Sequence, residues 1–176
     1  MRITNIEVSS NAITSRILDQ KRNIWKLKLK TAGKHYIKNA AALLTLVSSL
    51  KLSPAVAISA LEKWTPLAGR GQVSEIKFNN HNNNISIRLI DESYNANPGS
   101  LKSSLETLVS IFTNEKNQSQ QSRRIAVLGD MLELGFSEVK EHVNISKLST
   151  LDKIDKIFCV GPRMRKLYNC LLYTSD

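Results

Sequence analysis

The sequence predicts an α/β chain made of two units, on three observations. Period-two alternation through residue 30 gives way to helical spacing from Tyr36. Pro66, Gly69 and Gly71 then break the chain between two patterned stretches. From residue 85 onward the pattern runs β-α-β-α-β and opens a further helix, which argues for a parallel sheet with right-handed crossovers. The 176 residues suit one ordinary domain or two small ones.

The elements follow in order. Residues 2–8 and 12–18 read as short strands. Residues 23–30 make a stronger one, because Trp25, Leu27 and Leu29 alternate with Lys26, Lys28 and Lys30. Ala32-Gly33-Lys34 is a turn. Ile37, Ala40, Ala41, Leu44 and Val47 then recur at helical spacing through Leu50. Ser53 and Pro54 open a second helix, as N-cap and first helical residue, that runs to about Lys63. Gln72 to Phe78 and Ile85 to Asp91 read as strands, with a polar loop over residues 79–84 that contains His81.

Asn97-Pro98-Gly99 is a turn, and Ser100 is expected to cap a helix whose apolar face is Leu101, Leu105, Leu108 and Phe112. Residues 114–122 are a polar, low-complexity connection. Ile125 to Leu128 is all apolar, as a central parallel strand would be. Ser137 begins a helix with Glu138 and Glu141 in its first turn, where the dipole favours them. Lys156 to Val160 is a strand that stops at Gly161-Pro162. Asp91 and Asp130 both fall at the C-terminal ends of predicted parallel strands, the edge at which open α/β sheets bind ligands.

Composition narrows the class. A hydrophobic fraction of 41% and a charged fraction of 23% exclude a wholly disordered or collagen-like chain. No apolar run approaches the roughly 18–20 residues of a membrane helix. Met1 to Asp19 has no continuous apolar stretch of the kind found in signal peptides. Cys159 and Cys170 are the only cysteines, too few for a disulfide framework, so a reducing cytoplasm is the default. The net charge of +10 is uneven: residues 1–71 hold 12 of the 25 Lys/Arg and 3 of the 15 Asp/Glu. Such asymmetry fits nucleic acid, a membrane surface, a phosphate-rich ligand or a solvated basic face. The period-two strand points its lysines to water, without aromatics set among them as a stacking platform, which favours the solvated face.

Four constellations carry chemistry. Ile90-Asp91-Glu92-Ser93-Tyr94-Asn95-Ala96-Asn97-Pro98 puts two carboxylates, a hydroxyl, a phenol and two amides in one loop after a strand. A loop that only turned would not need so many different groups. Gly129-Asp130-Met131-Leu132-Glu133-Leu134-Gly135 also follows a strand, with Asp130 and Glu133 as candidate polar ligands and the apolar residues as packing. Gly33-Lys34-His35, with Asn39 four residues beyond His35, lies at a helix start, where anions are attracted; a turn with a capping His fits the same residues. Gly69-Arg70-Gly71 is either a hinge or an arginine with open access to phosphate. Neither the G-x-x-x-x-G-K-[ST] nor the G-x-G-x-x-G pattern occurs, and His35, His81 and His142 have no metal-ligand spacing with the cysteines.

In this order, Gly33-Lys34-His35 with Asn39-Ala40, Gly69-Arg70, Ile90 to Pro98 and Ala126 to Gly135 resemble the Mur ligases, over about residues 1–165. The last two strings are the long and specific ones. The resemblance implies the C-terminal part of a central ATPase domain over residues 1–71, followed by an incomplete Rossmann-like parallel-sheet domain over residues 72–176. It implies a piece of a cytoplasmic, ATP-dependent amide ligase of peptidoglycan precursor synthesis, which adds D-alanyl-D-alanine to UDP-N-acetylmuramoyl-tripeptide through an acyl phosphate. The phosphate-binding loop and most Mg²⁺ ligands would lie upstream, so the piece alone is expected to be inactive, and Leu171 to Asp176 does not look like the family's continuation.

By the same resemblance Asn39 reads adenine, Arg70 meets the ATP phosphates, Glu92 stands near the ribose and His35 belongs to the same ATP-binding motif. Asp91, Tyr94, Asn95, Asn97, Asp130 and Glu133 would line the substrate cleft. No metal ligand and no catalytic residue is assigned within the chain. Tyr36 departs from the family, where Asn is frequent, so no polar contact is claimed for it. The implied partners are ATP, the UDP-linked tripeptide and D-alanyl-D-alanine, with no nucleic acid, no membrane and a monomeric state. Gly69-Arg70-Gly71 would serve as both ligand and hinge. The competing reading is a basic nucleic-acid-binding or regulatory module on a Rossmann-like scaffold.

Overall fold

Alternation builds the first sheet as expected. In the computed structural model, which describes residues 1–9, 12–20, 22–80, 83–113 and 122–172, β1 (Arg2–Val8), β2 (Ile13–Leu18) and β3 (Ile24–Leu29) pair antiparallel in that order. Ile13, Ile17, Leu27 and Leu29 are fully buried, while Lys26, Lys28 and Lys30 are exposed. α1 (Lys34–Ser49) and α2 (Pro54–Lys63) add Ile37, Ala40, Ala41, Leu44 and Ile58 to the same core. Each fully buried Leu or Ile is worth roughly 1.5–3 kcal/mol, so this face of the sheet and the helical stripe hold each other in place.

α1 starts two residues earlier than its apolar spacing suggests. His35 therefore lies inside the helix, on the same face as Asn39. α2 has Ser53 at its N-cap and Pro54 in its first turn as expected, though the Ser53 hydroxyl makes no capping bond. β4 (Gln72–Asn80) and β5 (Asn83–Asp91) form an antiparallel hairpin. The strands extend into the stretch expected to be loop, and His81 lies outside the described residues, as does nearly all of the 114–122 connection.

One sequence expectation is corrected here. Among the described residues β5 pairs only with β4, so Asp91 ends an antiparallel strand rather than a parallel one. Strand periodicity fixes which residues alternate; it does not select the partner, and the adjacent strand reached by a short turn wins. The chain divides into two compact units, Met1–Glu92 and Ser93–Asp176.

The second unit is α/β with a parallel strand pair. Its elements are α3 (Pro98–Thr113), β6 (Ile125–Gly129), α4 (Glu138–Ile145), β7 (Lys156–Val160) and α5 (Arg165–Leu172), and β6 and β7 run parallel. Leu101 and Leu105 of α3, Ala126 and Leu128 of β6, Ile145 of α4 and Leu167 of α5 close the core with Met131, Leu151 and Met164. Leu108 packs against it; the Phe112 side chain lies outside the description. A 3-10 turn over Gly135–Ser137 precedes α4, and the Ser137 hydroxyl donates back to the Leu134 carbonyl instead of capping forward.

Ser100 does not cap α3 from outside. The helix starts at Pro98, and Asn97 is the cap: its Oδ1 accepts from Ser100 N–H at 2.9 Å, while Ser100 Oγ accepts from Asn97 N–H at 3.0 Å. This reciprocal box satisfies two otherwise unpaired donors and seats Pro98 at the first helical position, where it lacks no needed N–H. Asn97→Ala should lower the stability of the second unit by about 1 kcal/mol. Chemical denaturation followed by far-UV circular dichroism measures it.

At the other end of the chain, burial and then the Lys38 ammonium hold the His35 imidazole below its ordinary pKa of 6.5. The unfolded chain then binds a proton that the folded chain refuses. The folded state is therefore fully favoured above pH 6.5 and loses stability as pH falls from there through the depressed value. In His35→Gln the fall in melting temperature between pH 7 and pH 5 should be smaller than in the wild type; an equal fall removes His35 from the account.

Candidate functional site

Three segments of the first unit converge on Tyr36. It stands in the first turn of α1, directly after His35. Its hydroxyl donates to the main-chain carbonyl of Arg70. Its ring packs tilted against His35 at 4.0 Å and against Trp64 at 5.2 Å between centroids. The Gly69-Arg70-Gly71 turn is tied to the end of β5. Gly69 N–H donates to Asp91 Oδ2 at 3.1 Å, and Gly71 N–H to the Asp91 carbonyl at 2.8 Å.

Gly69 and Gly71 have φ of +74° and +85°, a region closed to most side chains. At Gly71 a Cβ would stand 2.8 Å from Tyr36 Oη and 3.2 Å from Glu92 Oε1. Glycine there lets the phenol and the carboxylate both approach the turn.

Electrostatics fix the protonation. Burial, then the Glu92 carboxylate, push the Tyr36 phenol up, with Arg70 opposing, so at neutral pH the hydroxyl keeps its proton and remains a donor. His35 is held neutral by the shift described above, and its Nδ1 is buried without a hydrogen-bond partner among the described residues. Asn39 is exposed one turn along the same face. A guanidinium, a carboxylate and an imidazole thus gather around Tyr36 near the start of a 16-residue helix, with the Asn39 amide one turn further along. That set suits a ligand with anionic, hydroxyl and heterocyclic parts.

Of the residues singled out in the sequence, the first unit brings together His35, Arg70, Asp91 and Glu92, with Asn39 on the adjoining helical face. Asp91 acts here as the brace of the Gly69-to-Gly71 turn. Tyr36 and Trp64 were missed. The signal for Tyr36 was its departure from the family pattern; Trp64 closes α2 and carried none.

The second unit holds the rest. Tyr94 is exposed, Asn95 Oδ1 accepts from Ala96 N–H at 2.9 Å, and Asn97 caps α3. Asp130 is mostly buried: Oδ1 accepts from Met164 N–H at 2.8 Å, and Oδ2 lies 3.7 Å from Arg163 Nη1. Arg163 Nε in turn donates to Glu138 Oε2 at 2.6 Å. A Cβ at Gly161, where φ is +106°, would collide with the Asp130 carboxylate. The next residue, Met131, donates its N–H to Nε2 of buried His142 at 3.1 Å, whose Nδ1 meets the Glu138 carbonyl at 2.7 Å. That geometry requires the neutral tautomer with the proton on Nδ1. Asp130 and His142 thus anchor the loop after β6, and Glu133 is left exposed with φ of +61°. His142 drew no notice in the sequence beyond its lack of metal spacing. Among the described residues no group of three or more His, Cys, Asp or Glu is placed to hold a metal ion.

Comparison with known proteins shows the family of the chain. The family model described as "Mur ligase, glutamate ligase domain" matches residues 78–173. UDP-N-acetylmuramoyl-tripeptide–D-alanyl-D-alanine ligase of Mycobacterium leprae is 30% identical over 160 residues, 88% of this chain and 30% of that protein. The enzyme of the same name from Escherichia coli is 28% identical, over 90% of this chain and 31% of its own length. The chain therefore spans about a third of the curated relatives it matches. A crystal structure of MurF from Acinetobacter baumannii superimposes with a TM-score of 0.74 at 23% identity, over 96% of this chain and 33% of that one. MurF from Thermotoga maritima, in complex with ADP, gives 0.70 at 19% identity, over 94% and 34%. At such identities these two structures support the fold alone. With a family match that takes in more than half of the chain, including both long strings after β5 and β6, this chain belongs to the Mur ligase family.

Proposed function

We propose that this chain is part of an ATP-dependent amide ligase that adds D-alanyl-D-alanine to UDP-N-acetylmuramoyl-tripeptide, and that its first unit supplies part of the ATP site. The observation that carries the reading is the convergence of His35, Arg70 and Glu92 around Tyr36 at the start of α1, in a chain whose relatives bear that enzyme's name. Residues 1–71 are then the last part of the central ATP-binding domain and residues 72–176 the first part of the C-terminal domain. The family match beginning at residue 78 supports that division.

A carboxylate cannot expel oxide, so the tripeptide's terminal carboxylate needs activation. Its oxygen attacks the γ-phosphorus of ATP, ADP leaves, and an acyl phosphate forms. The dipeptide amine then attacks the acyl carbon, loses a proton, and phosphate departs with the C–O bond pair. The charge that shifts in the first step must be met by fixed cations and dipoles. Arg70 has the fork geometry for phosphate oxygens, and Asn39 can donate to and accept from adenine at once. Glu92 accepts from ribose hydroxyls, and the unpartnered His35 Nδ1 is free to face the nucleotide.

In this reading Asp91 of the first unit and Tyr94, Asn95, Asn97, Asp130 and Glu133 of the second serve the peptide substrates, Asp91, Asn97 and Asp130 by shaping the backbone around them. Mg²⁺ would serve the phosphoryl transfer, and among the described residues no group of three or more His, Cys, Asp or Glu is placed to hold it. The sequence has no G-x-x-x-x-G-K-[ST] loop to cradle phosphates, and the chain by itself is expected to show no ligase turnover.

Calorimetric titration of the chain with ADP and with adenosine tests the reading. ADP should bind more tightly than adenosine. Arg70→Ala should lower ADP affinity roughly tenfold or more, the weight of hydrogen bonds to a charged group, and leave adenosine unaffected. Equal binding of both ligands by the wild type, or an Arg70→Ala chain that still prefers ADP, would remove the phosphate role.

A further inference from the structure

The phenol of Tyr36 has no place in the site as the family resemblance describes it, yet it makes a side-chain hydrogen bond between α1 and the Gly69-to-Gly71 turn. We infer that Tyr36 is a positioning residue for Arg70: by donating to the Arg70 carbonyl it fixes the turn from which the guanidinium projects, and so sets how the arginine meets phosphate. The inference rests on the phosphate role proposed above for Arg70.

Several observations converge on it. The turn is held on one side by Asp91, through Gly69 N–H and Gly71 N–H. Those two bonds fix the glycines and leave the carbonyl between them to be held from the other side. Tyr36 supplies that second hold. The Tyr36 ring is itself packed against His35 and Trp64. Burial and Glu92 keep it protonated, which a donor must be. Gly71 completes the device, since any Cβ there would press on both Tyr36 Oη and Glu92 Oε1. The hydroxyl, the turn and the carboxylate form one assembly, and a change in any of them moves the other two.

Tyr36→Phe keeps the packed ring and removes only the donor. It should weaken ADP binding about fivefold, the net weight of one hydrogen bond, with adenosine affinity unchanged. Because the effect acts through Arg70, Tyr36→Phe introduced into an Arg70→Ala chain should cost nothing further, a coupling that a general loss of structure would not show. Three results overturn the inference while sparing the phosphate role of Arg70: no change in ADP affinity, an equal loss for ADP and adenosine, or losses that add in the double variant. A wild type that binds ADP no better than adenosine overturns both. Should Tyr36→Phe fail to fold, the wild type still decides the matter. In a chain labelled with ¹³Cζ-tyrosine, the Tyr36 resonance should shift with ADP and stay still with adenosine; a resonance that ignores ADP overturns the inference.

Discussion

Asp91 holds the first unit's site together by two bonds to one turn. Its carboxylate takes the N–H of Gly69 and its carbonyl takes the N–H of Gly71, so the end of β5 and the stretch after α2 cannot move independently. Both glycines are in the left-handed region, which lets the turn close tightly enough for those bonds to form. Once it is closed, the Arg70 carbonyl faces away from β5 and toward α1, where the Tyr36 hydroxyl meets it. The arginine side chain then projects from a backbone fixed on two sides. The approach of Glu92 to the turn presupposes that closure.

The second unit solves a similar problem with different groups. A strand ends at Gly129, and the loop after it must be held without regular secondary structure. Asp130 does so by accepting from Met164 N–H ahead of α5, and His142 by accepting from Met131 N–H while its other nitrogen is tied to α4. A carboxylate and an imidazole take the place of the missing ladder bonds, and both are largely removed from solvent. Buried polar groups are tolerated here because each has partners. Acidic residues that follow strands therefore read equally well as ligands or as braces, and only geometry separates the two.

Local pattern was legible and long-range choice was not. β3, α2 and β7 fall where alternation, an N-terminal proline and a short apolar run put them, because each depends on neighbours within a few residues. The partner of β5 could not be read, since its alternation fits a parallel or an antiparallel neighbour equally well. The cap of α3 slipped from Asn97 to Ser100 because both residue types cap, and the reciprocal bond between them shows only in three dimensions. At the site, the resemblance supplied His35, Arg70 and Glu92 as separate positions. It did not supply Tyr36, whose role depends on a carbonyl 34 residues away.

That last omission is instructive about what a family pattern can carry. Such a pattern records residue types at positions, and at position 36 the resemblance implies a frequent Asn. A shorter amide and a phenol differ in reach as well as chemistry, so they cannot make the same contact from the same helical turn. The tyrosine hydroxyl reaches the Arg70 carbonyl in the Gly69-to-Gly71 turn, and its ring packs against both His35 and Trp64. A departure from the pattern that is surrounded by two aromatic contacts and a hydrogen bond is better explained as a substitution with its own structural supports than as drift on a tolerant surface. The basic charge of the first 71 residues fits the same picture. The lysines of β3 face solvent on the side opposite the core, whereas Arg70 is set among Tyr36, Asp91 and Glu92, where position rather than net charge decides what it can bind.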